Sequence, residues 1–389
     1  MLNLPIPDLL TDTLVERANE IARTVLRPEA DRVDREGVWP EAGMRALREA
    51  GLTGLHVPAR LGGHGLGLGA LAAITEALGR ACTSTAMCFG MHCVATAVLA
   101  AKATPEQETR YLEPIARGEH LTTLALSEPG TGAHFYLPRA TYEDGSEAFR
   151  LNGSKSFVTS GGHADSYVVS AVPPGREFDP GSFTCILVDA KTPGMEWGEP
   201  WCGFGMRGNS SRTVLFRDAP VPKDRLIGAE GDELWYVFEV VAPYFLVAMA
   251  GSYLGGAATA LNLAIEHLKA RAYGHTGTRL SENAVLTSEI AEMWTVLERG
   301  RQLVRHAARQ ADAGAPDAMH ALFAAKIDVA DAATAVVGRA MSVLGGQGYR
   351  DHGEIGRILR DVQAAHVMSP TTHILKGWLG RSLLDRPLF

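Results

Sequence analysis

One loop of the chain combines residue types that suit the binding of a phosphate or a flat aromatic ring. It follows the apolar run Leu124-Ala125-Leu126 and consists of Ser127-Glu128-Pro129 and the small-residue turn Gly130-Thr131-Gly132-Ala133. Glycines let backbone N–H groups approach a ligand closely, because no side chain stands in the way. A Pro- and Gly-rich turn after a strand occurs in many folds, so this loop alone does not identify a function.

Three later segments complete a pattern with this loop. They carry a Gly-x-Lys strand motif, a stretch from an arginine to a Val-Pro, and a double glycine followed by an Arg-Asp pair, at residues 153–161, 207–222 and 343–361. The four segments in this order resemble the acyl-CoA dehydrogenase family of flavoproteins, which typically shows TEP-x-AGSD, G-x-K-x-W/F-I-T-N-G, G-x-R-x-S…F-x-x-V-x-VP and GG-x-GY…R-x-x-RD. The resemblance covers nearly the whole chain.

The resemblance implies an α+β fold of three domains. These are an N-terminal α-helical domain at residues 1–120, a middle antiparallel β domain at 121–228 and a C-terminal four-helix-bundle domain at 229–389. The spacing of hydrophobic residues agrees with these three domains. It is about 3.6 residues, as in helices, before residue 121 and after residue 228, and about two residues, as in strands, between them.

Individual elements follow from the same periods. Strands are predicted at residues 140–143, 149–152, 155–159, 166–172, 183–188 and 212–216, and helices at 71–78, 86–101, 234–271, 283–313, 315–344, 354–367 and 371–384. Pro220 and Pro222 are predicted to end the β domain, since proline lacks a backbone donor. His92, within an apolar helix, is predicted to be a buried histidine between helices rather than a catalytic one.

FAD is the cofactor that the resemblance implies. By position, Leu126 and Ser127 would contact the pyrimidine and N5 edge of the flavin, Gly132 and Ala133 the pyrophosphate, and Phe157 and Thr159 the isoalloxazine. The other cofactor-binding residues assigned in this way, some of them toward a neighbouring subunit's FAD, are Arg271, Gly345, Gly346, Thr371 and His373. We expect no metal site.

The catalytic base is where the chain departs from the family. Dehydrogenation of an acyl thioester needs a carboxylate to remove the α-proton while the β-hydrogen leaves as hydride. In the resembled enzymes this is a Glu before Gly-Thr, and Ser369 occupies that position here. A second family position, counted from Gly255, falls on Phe245 and Leu246. A neutral serine is too weak a base for this step unaided, so the catalytic residue is left unassigned.

Three explanations of the missing glutamate stay open. The base has moved, with Glu239, His134, His366 and His373 as candidates. Alternatively, a related subunit supplies the acid in a heteromeric assembly. Otherwise the flavin does different chemistry, either the oxygen activation of a flavin-dependent monooxygenase or a deprotonation without net oxidation. A non-catalytic subunit is a separate class of function. The leading hypothesis is α,β-dehydrogenation of an acyl thioester with a relocated or partner-supplied base.

Composition limits the partners. The 389 residues are 46% hydrophobic and 21% charged with a net charge of −7, which argues against binding nucleic acid. Residues 240–265 carry no charge, and we predict a helix buried in a bundle rather than a membrane span. The N-terminal residues lack a signal pattern, so we expect a cytoplasmic protein. The resemblance further implies an acyl-CoA or acyl-carrier-protein substrate, a homodimer or homotetramer, and an electron-acceptor flavoprotein or O₂.

Overall fold

The order of elements is helices, then two small sheets, then helices again. A computed structural model describes residues 9–232 and 235–388 of the chain, and the α+β architecture predicted from the sequence is confirmed within them. The domain boundaries at residues 120 and 228 stay predictions. Parts of the N-terminal and C-terminal domain assignments, namely residues 1–8, 233, 234 and 389, lie outside the described residues.

The N-terminal helices pack their apolar faces into one core that continues into the C-terminal helices. Their bounds are α1 (Leu9–Ile21), α2 (Arg27–Glu36), α3 (Glu41–Glu49), α4 (Leu68–Gly79), α5 (Thr83–Lys102), α6 (Pro105–Gln107) and α7 (Glu113–Ala116), with π-helical turns at Ala22–Leu26 and Glu108–Leu112. α5 is apolar on all sides and almost wholly buried, as expected for the central helix of a bundle.

His92 on α5 is buried as predicted. Its Nε2 lies 3.0 Å from the carbonyl oxygen of Thr53, and its Nδ1 lies 3.2 Å from the backbone N–H of Thr122. A neutral imidazole meets both contacts, because one ring nitrogen donates and the other accepts. Burial lowers the pKa of His92 to about 4.

The middle domain consists of two four-stranded sheets, with strand orders β1-β4-β5-β8 and β2-β3-β7-β6. The strands are β1 (Thr122–Ala125), β2 (Thr141–Asp144), β3 (Ala148–Val158), β4 (Ser166–Ala171), β5 (Thr184–Asp189), β6 (Met195–Trp197), β7 (Arg212–Pro222) and β8 (Leu226–Ile227). The pairs are antiparallel as predicted, except that β1 runs parallel to β4.

Two details of the strand prediction are wrong. The strands predicted at 149–152 and 155–159 form one long strand, β3, because Gly153 (φ 129°) makes a bulge there instead of a turn. The prediction that Pro220 and Pro222 end the sheet also fails, since both lie inside β7, opposite residues of β3. β6 pairs only with residues 214–216 of β7, so at the prolines β7 has β3 as a neighbour on one side and no β6 on the other, and proline is tolerated at such edge positions.

The C-terminal domain is a bundle of long helices. They are α8 (Ala242–Ala270), preceded by a π-helical turn (Tyr236–Val241), α9 (Ala284–Asp312), α10 (Ala318–Leu344), α11 (Glu354–Val362), α12 (Ala364–Val367) and α13 (Thr372–Leu383). The start predicted at residue 234 lies outside the described residues, and the helix predicted at 354–367 is interrupted at Gln363.

α8 ties the two helical domains together by packing against α4. The crossing is close at Gly255, where a Cβ atom would stand only 2.3 Å from the carbonyl oxygen of Glu76. Among the described residues, Thr83–Lys102 and Tyr236–Ala270 are long and apolar enough to span a membrane, but 89% and 83% of their apolar windows are buried within the protein. Both therefore serve as core helices in this fold, as predicted for residues 240–265.

Candidate active site

A cavity of about 60 Å³ lies where the three parts of the fold meet. The β domain contributes the end of β1 and the end of β3, and the helical domains contribute α5, the start of α8 and the segment before α13. Its lining residues are Met91, Leu124, Leu126, Ser127, Phe135, Ser156, Phe157, Val241, Ala242, Phe245, Ser369 and Pro370.

Backbone and hydroxyl contacts hold the polar side of this cavity together. The N–H of Ser156 donates to the carbonyl oxygen of Ser127 over 2.8 Å. The hydroxyl of Ser369 donates to the carbonyl oxygen of Ala133 over 2.9 Å. The loop that follows β1 is thus fixed to β3 on one side and to the C-terminal domain on the other.

A buried ion pair lies behind the same loop. Lys155, which is fully buried, places its Nζ 2.5 Å from Oε1 of Glu128, 2.9 Å from Oγ of Ser170 and 3.4 Å from the carbonyl oxygen of Leu126. The Glu128 carboxylate also accepts the N–H groups of Arg139 (2.8 Å) and Ala140 (3.1 Å). Burial lowers the pKa of Lys155, and the adjacent Glu128 opposes this effect. The pair therefore fixes the backbone at Leu126, on the wall of the cavity.

The polar side chains that line the cavity are three serine hydroxyls. Ser127 and Ser369 are partly buried, whereas Ser156 is only 8% exposed. The Oγ of Ser156 is buried without a hydrogen-bond partner. A buried hydroxyl without a partner costs free energy, and in a native protein it commonly contacts a ligand or water.

No carboxylate or imidazole of the described residues lines the cavity. Ser369 does lie on its wall, where the glutamate is expected from the resemblance, and Phe245 from the second expected position lies there as well. Both positions therefore face the cavity, and neither offers a base.

The other candidate bases lie elsewhere. Glu239 and His373 are exposed, and His134 is exposed with Nδ1 2.8 Å from the hydroxyl of Tyr136. His366 contacts the hydroxyls of two threonines, Thr334 and Thr372, each over 3.3 Å. None of the four side chains lines the cavity.

The residues assigned to FAD fall into two groups. Leu126, Ser127 and Phe157 line the cavity, and Ala133 is bonded to it through Ser369. Gly132 beside them is exposed with φ 56° and open space around its Cα, and Thr159 is buried in the turn after β3.

The second group lies away from the cavity. Arg271, Gly345, Gly346 and His373 are exposed on the C-terminal domain, and the hydroxyl of Thr371 caps α13 by accepting the N–H of Ile374. Their assignment to a cofactor stays a prediction.

Sequence reasoning missed Ser156 and the Glu128–Lys155 pair. Strict alternation along β3 would put Ser156 and Phe157 on opposite faces. Phe157, however, has a φ of 56° next to a register shift in the β3–β7 ladder, and both residues line the cavity. Residues 154–158 contain no glycine, so the sequence gives no local signal for a positive φ at Phe157.

Solved structures share the whole architecture. Butyryl-CoA dehydrogenase from Megasphaera elsdenii superposes with a TM-score of 0.92 at 24% identity, over 98% of this chain and 100% of that one. The prolyl acyl carrier protein oxidase AnaB superposes with a TM-score of 0.89 at 22% identity, over 97% and 100%. At these identities the likeness establishes the fold alone.

The sequence itself matches family models along most of its length. The N-terminal, middle and C-terminal domain models of acyl-CoA dehydrogenase match residues 11–119, 123–219 and 245–384. The cyclohex-1-ene-1-carbonyl-CoA dehydrogenase of Geobacter metallireducens is 30% identical over 372 residues, which cover 95% of this chain and 97% of that protein. The chain therefore belongs to the acyl-CoA dehydrogenase family of oxidoreductases.

Proposed function

We propose that the protein is an FAD-dependent oxidoreductase that dehydrogenates an acyl thioester of CoA or of a carrier protein. The observation that carries this proposal is the cavity between Leu126-Ser127, Phe157, Phe245 and Ser369. It joins the loop assigned to the flavin with both positions assigned to the base. An apolar cavity with a few converging polar groups is the usual form of a small-molecule site.

The residues on the β-domain side fit FAD. The partly buried hydroxyl of Ser127 lies on the wall of the cavity. The exposed ring of Phe157, 64% accessible, offers a flat apolar face. Gly132 leaves open space in the adjacent turn. Leu126, Ser127 and Phe157 would hold the flavin end, while Gly132 and Ala133 would supply backbone groups to the pyrophosphate.

When FAD is bound, it provides the group that accepts the hydride. The chain's own residues bind and orient the acyl group. Met91, Leu124, Phe135 and Phe245 are buried apolar side chains that exclude water from the cavity. Ser369 is held in place by its bond to the Ala133 carbonyl oxygen.

α,β-Dehydrogenation also requires a base that removes the α-proton. Since no described carboxylate lines the cavity, the base for the α-proton is not one of the described lining residues. A partner subunit in a homo- or hetero-oligomer is one source of that base. Relocation to Glu239 or to one of the histidines has no support from their positions.

One alternative has a specific observation in its favour. A flavin-dependent monooxygenase of the same fold needs a dry pocket rather than an α-proton base, and the cavity lining is apolar apart from three hydroxyls. This second candidate would require reduced flavin and O₂. A non-catalytic subunit remains the third hypothesis, and it predicts that no substrate reduces the flavin.

The deciding experiment is anaerobic titration of the purified protein with a panel of acyl thioesters. Bleaching of the flavin absorbance by at least one thioester, and not by the matched free carboxylic acid, is the expected result. A Phe245→Trp variant, which fills the cavity, should bind FAD and lose the bleaching. If flavin is bound but no thioester bleaches it, the dehydrogenase proposal fails. Oxygen consumption with product hydroxylation would then favour the monooxygenase.

Three further proposals concern the assembly, the electron acceptor and the location of the protein. We propose a homo-oligomer, an electron-acceptor flavoprotein or O₂ as the oxidant of the reduced protein, and a cytoplasmic location. Size-exclusion chromatography with light scattering tests the first of these directly.

A further inference from the structure

The described residues that line the cavity include no carboxylate, and a substrate that carries an amine needs none there. Resting on the proposed function, we infer that the acyl group bound here is an α-aminoacyl group, carrying a neutral amine on the carbon next to the thioester carbonyl.

The hydroxyls suit a ligand that donates hydrogen bonds. The Ser369 hydroxyl uses its proton on the Ala133 carbonyl oxygen, so only its lone pairs remain for a ligand. The Ser156 Oγ, in a residue 92% buried, has no partner in the protein and lines the same cavity. An amine N–H can donate to a hydroxyl oxygen of this kind, whereas a plain alkyl group would leave Ser156 unsatisfied.

The amine must be neutral. A charged ammonium in this cavity would face no carboxylate of the described residues, since the lining contains only apolar side chains and three hydroxyls. Burying an unpaired charge is costly, and desolvation favours the uncharged form of an amine. The cavity therefore selects the free amine, whose lone pair is available for chemistry.

That lone pair removes the need for a carboxylate base. The FAD that Leu126, Ser127 and Phe157 would hold would supply the two-electron oxidant, because it would accept the electron pair of the Cα–H bond as hydride. The nitrogen lone pair forms the C=N bond at the same carbon. The resulting iminium loses one N–H proton to water, so the products are an imine, reduced flavin and a proton.

Neither a plain acyl group nor an α-hydroxyacyl group fits as well. The plain acyl group must lose a weakly acidic C–H proton, and the hydroxyacyl group must lose an O–H proton as its hydride departs. Each needs a base that neither Ser369 nor Phe245 provides. An amine alone enters with its electron pair already free.

The first test is a binding measurement that does not depend on turnover. The probes are the 2-amino-2-methylpropanoyl and 2,2-dimethylpropanoyl thioesters of pantetheine, which have the same shape and lack the Cα–H that oxidation requires. Calorimetry with the holoprotein should show tighter binding of the amino probe, rising with pH until its amine is neutral, and no pH dependence for the other probe. Equal affinity for the two probes would overturn the inference.

Ser156 provides the matched variants. Ser156→Ala should weaken binding of the amino probe by about fivefold and leave the dimethyl probe within about twofold, because one hydrogen bond is lost. Ser156→Thr, which keeps the hydroxyl, should restore the preference. An equal loss for both probes in Ser156→Ala would indicate a packing role and contradict the assignment of the amine to this hydroxyl.

A second measurement separates this inference from the proposed function. Under anaerobic conditions 2-aminobutyryl-pantetheine should bleach the flavin at least tenfold faster than its isostere 2-methylbutyryl-pantetheine. If both bleach it at similar rates, the amine inference fails while the dehydrogenase proposal stands. If no thioester of either kind bleaches it, both fail.

Discussion

The buried pair of Lys155 and Glu128 yields the sharpest stability prediction. Replacing Lys155 with Met keeps the volume of the side chain and removes the cation. Three contacts of Nζ are lost, to Glu128 Oε1 (2.5 Å), Ser170 Oγ (2.9 Å) and the Leu126 carbonyl oxygen (3.4 Å). The Glu128 carboxylate is left buried with two backbone N–H donors and no countercharge.

The expected cost is about 3–5 kcal/mol of unfolding free energy, which is the range for breaking a buried pair by removing one partner. The penalty should depend on pH. In the variant the uncharged carboxyl is favoured in the folded state, so the folded protein binds the additional proton and its stability decreases as pH rises. The loss should therefore be larger at pH 8 than at pH 5.

Urea unfolding followed by circular dichroism at both pH values measures these effects, after a check that refolding is complete. Lys223→Met is the matched control, because its Nζ lies 2.5 Å from Asp144 Oδ1 on the surface of the same domain. An exposed pair of this kind should cost less than about 1 kcal/mol.

A double-mutant cycle completes this test. Glu128→Gln combined with Lys155→Met should be less damaging than the sum of the single changes by at least about 1 kcal/mol, because the two side chains are in direct contact. Additivity within about 0.5 kcal/mol, or a Lys155→Met cost no larger than that of Lys223→Met, would refute the reasoning.

Three further predictions concern the base, the helix crossing and acid stability. Ser369→Glu should speed flavin bleaching by plain acyl thioesters by at least about tenfold, since a positioned base accelerates proton transfer by about 10²–10⁴-fold. Ser369→Gln, which adds no base, should not speed it. Equal bleaching rates for the two variants would contradict the assignment of this position to the base. Gly255→Ala should lower the thermal midpoint because its Cβ would stand 2.3 Å from a backbone oxygen, whereas Gly256→Ala, with its nearest neighbour at 3.4 Å, should be tolerated. His92 has a folded pKa of about 4, below its unfolded value, so its contribution to stability is lost as pH falls from about 6.5 toward 4. In urea unfolding, His92→Gln should flatten this slope, and an unchanged slope would exclude the proposed cause.

The sequence by itself determined the family and the order of elements. Each motif is short and local, and hydrophobic periods depend only on residues a few positions apart, so helices and strands could be placed within a few residues. α9, predicted at 283–313, spans Ala284–Asp312, and the charge-free stretch at 240–265 lies within a buried helix as expected. The position of Ser369 was also predictable, because it follows from counting along one motif.

Tertiary structure decided the chemistry of the cavity. The prolines of β7 are tolerated because β6 does not extend alongside that part of the strand. The sequence of a strand does not specify which strands lie beside it. Ser156 and Phe157 line the cavity together because Phe157 has a positive φ that the surrounding fold imposes. Whether an acid stands near Ser369 depends on which distant segments meet there. Such contacts join residues more than a hundred positions apart, and no local pattern in the chain specifies them.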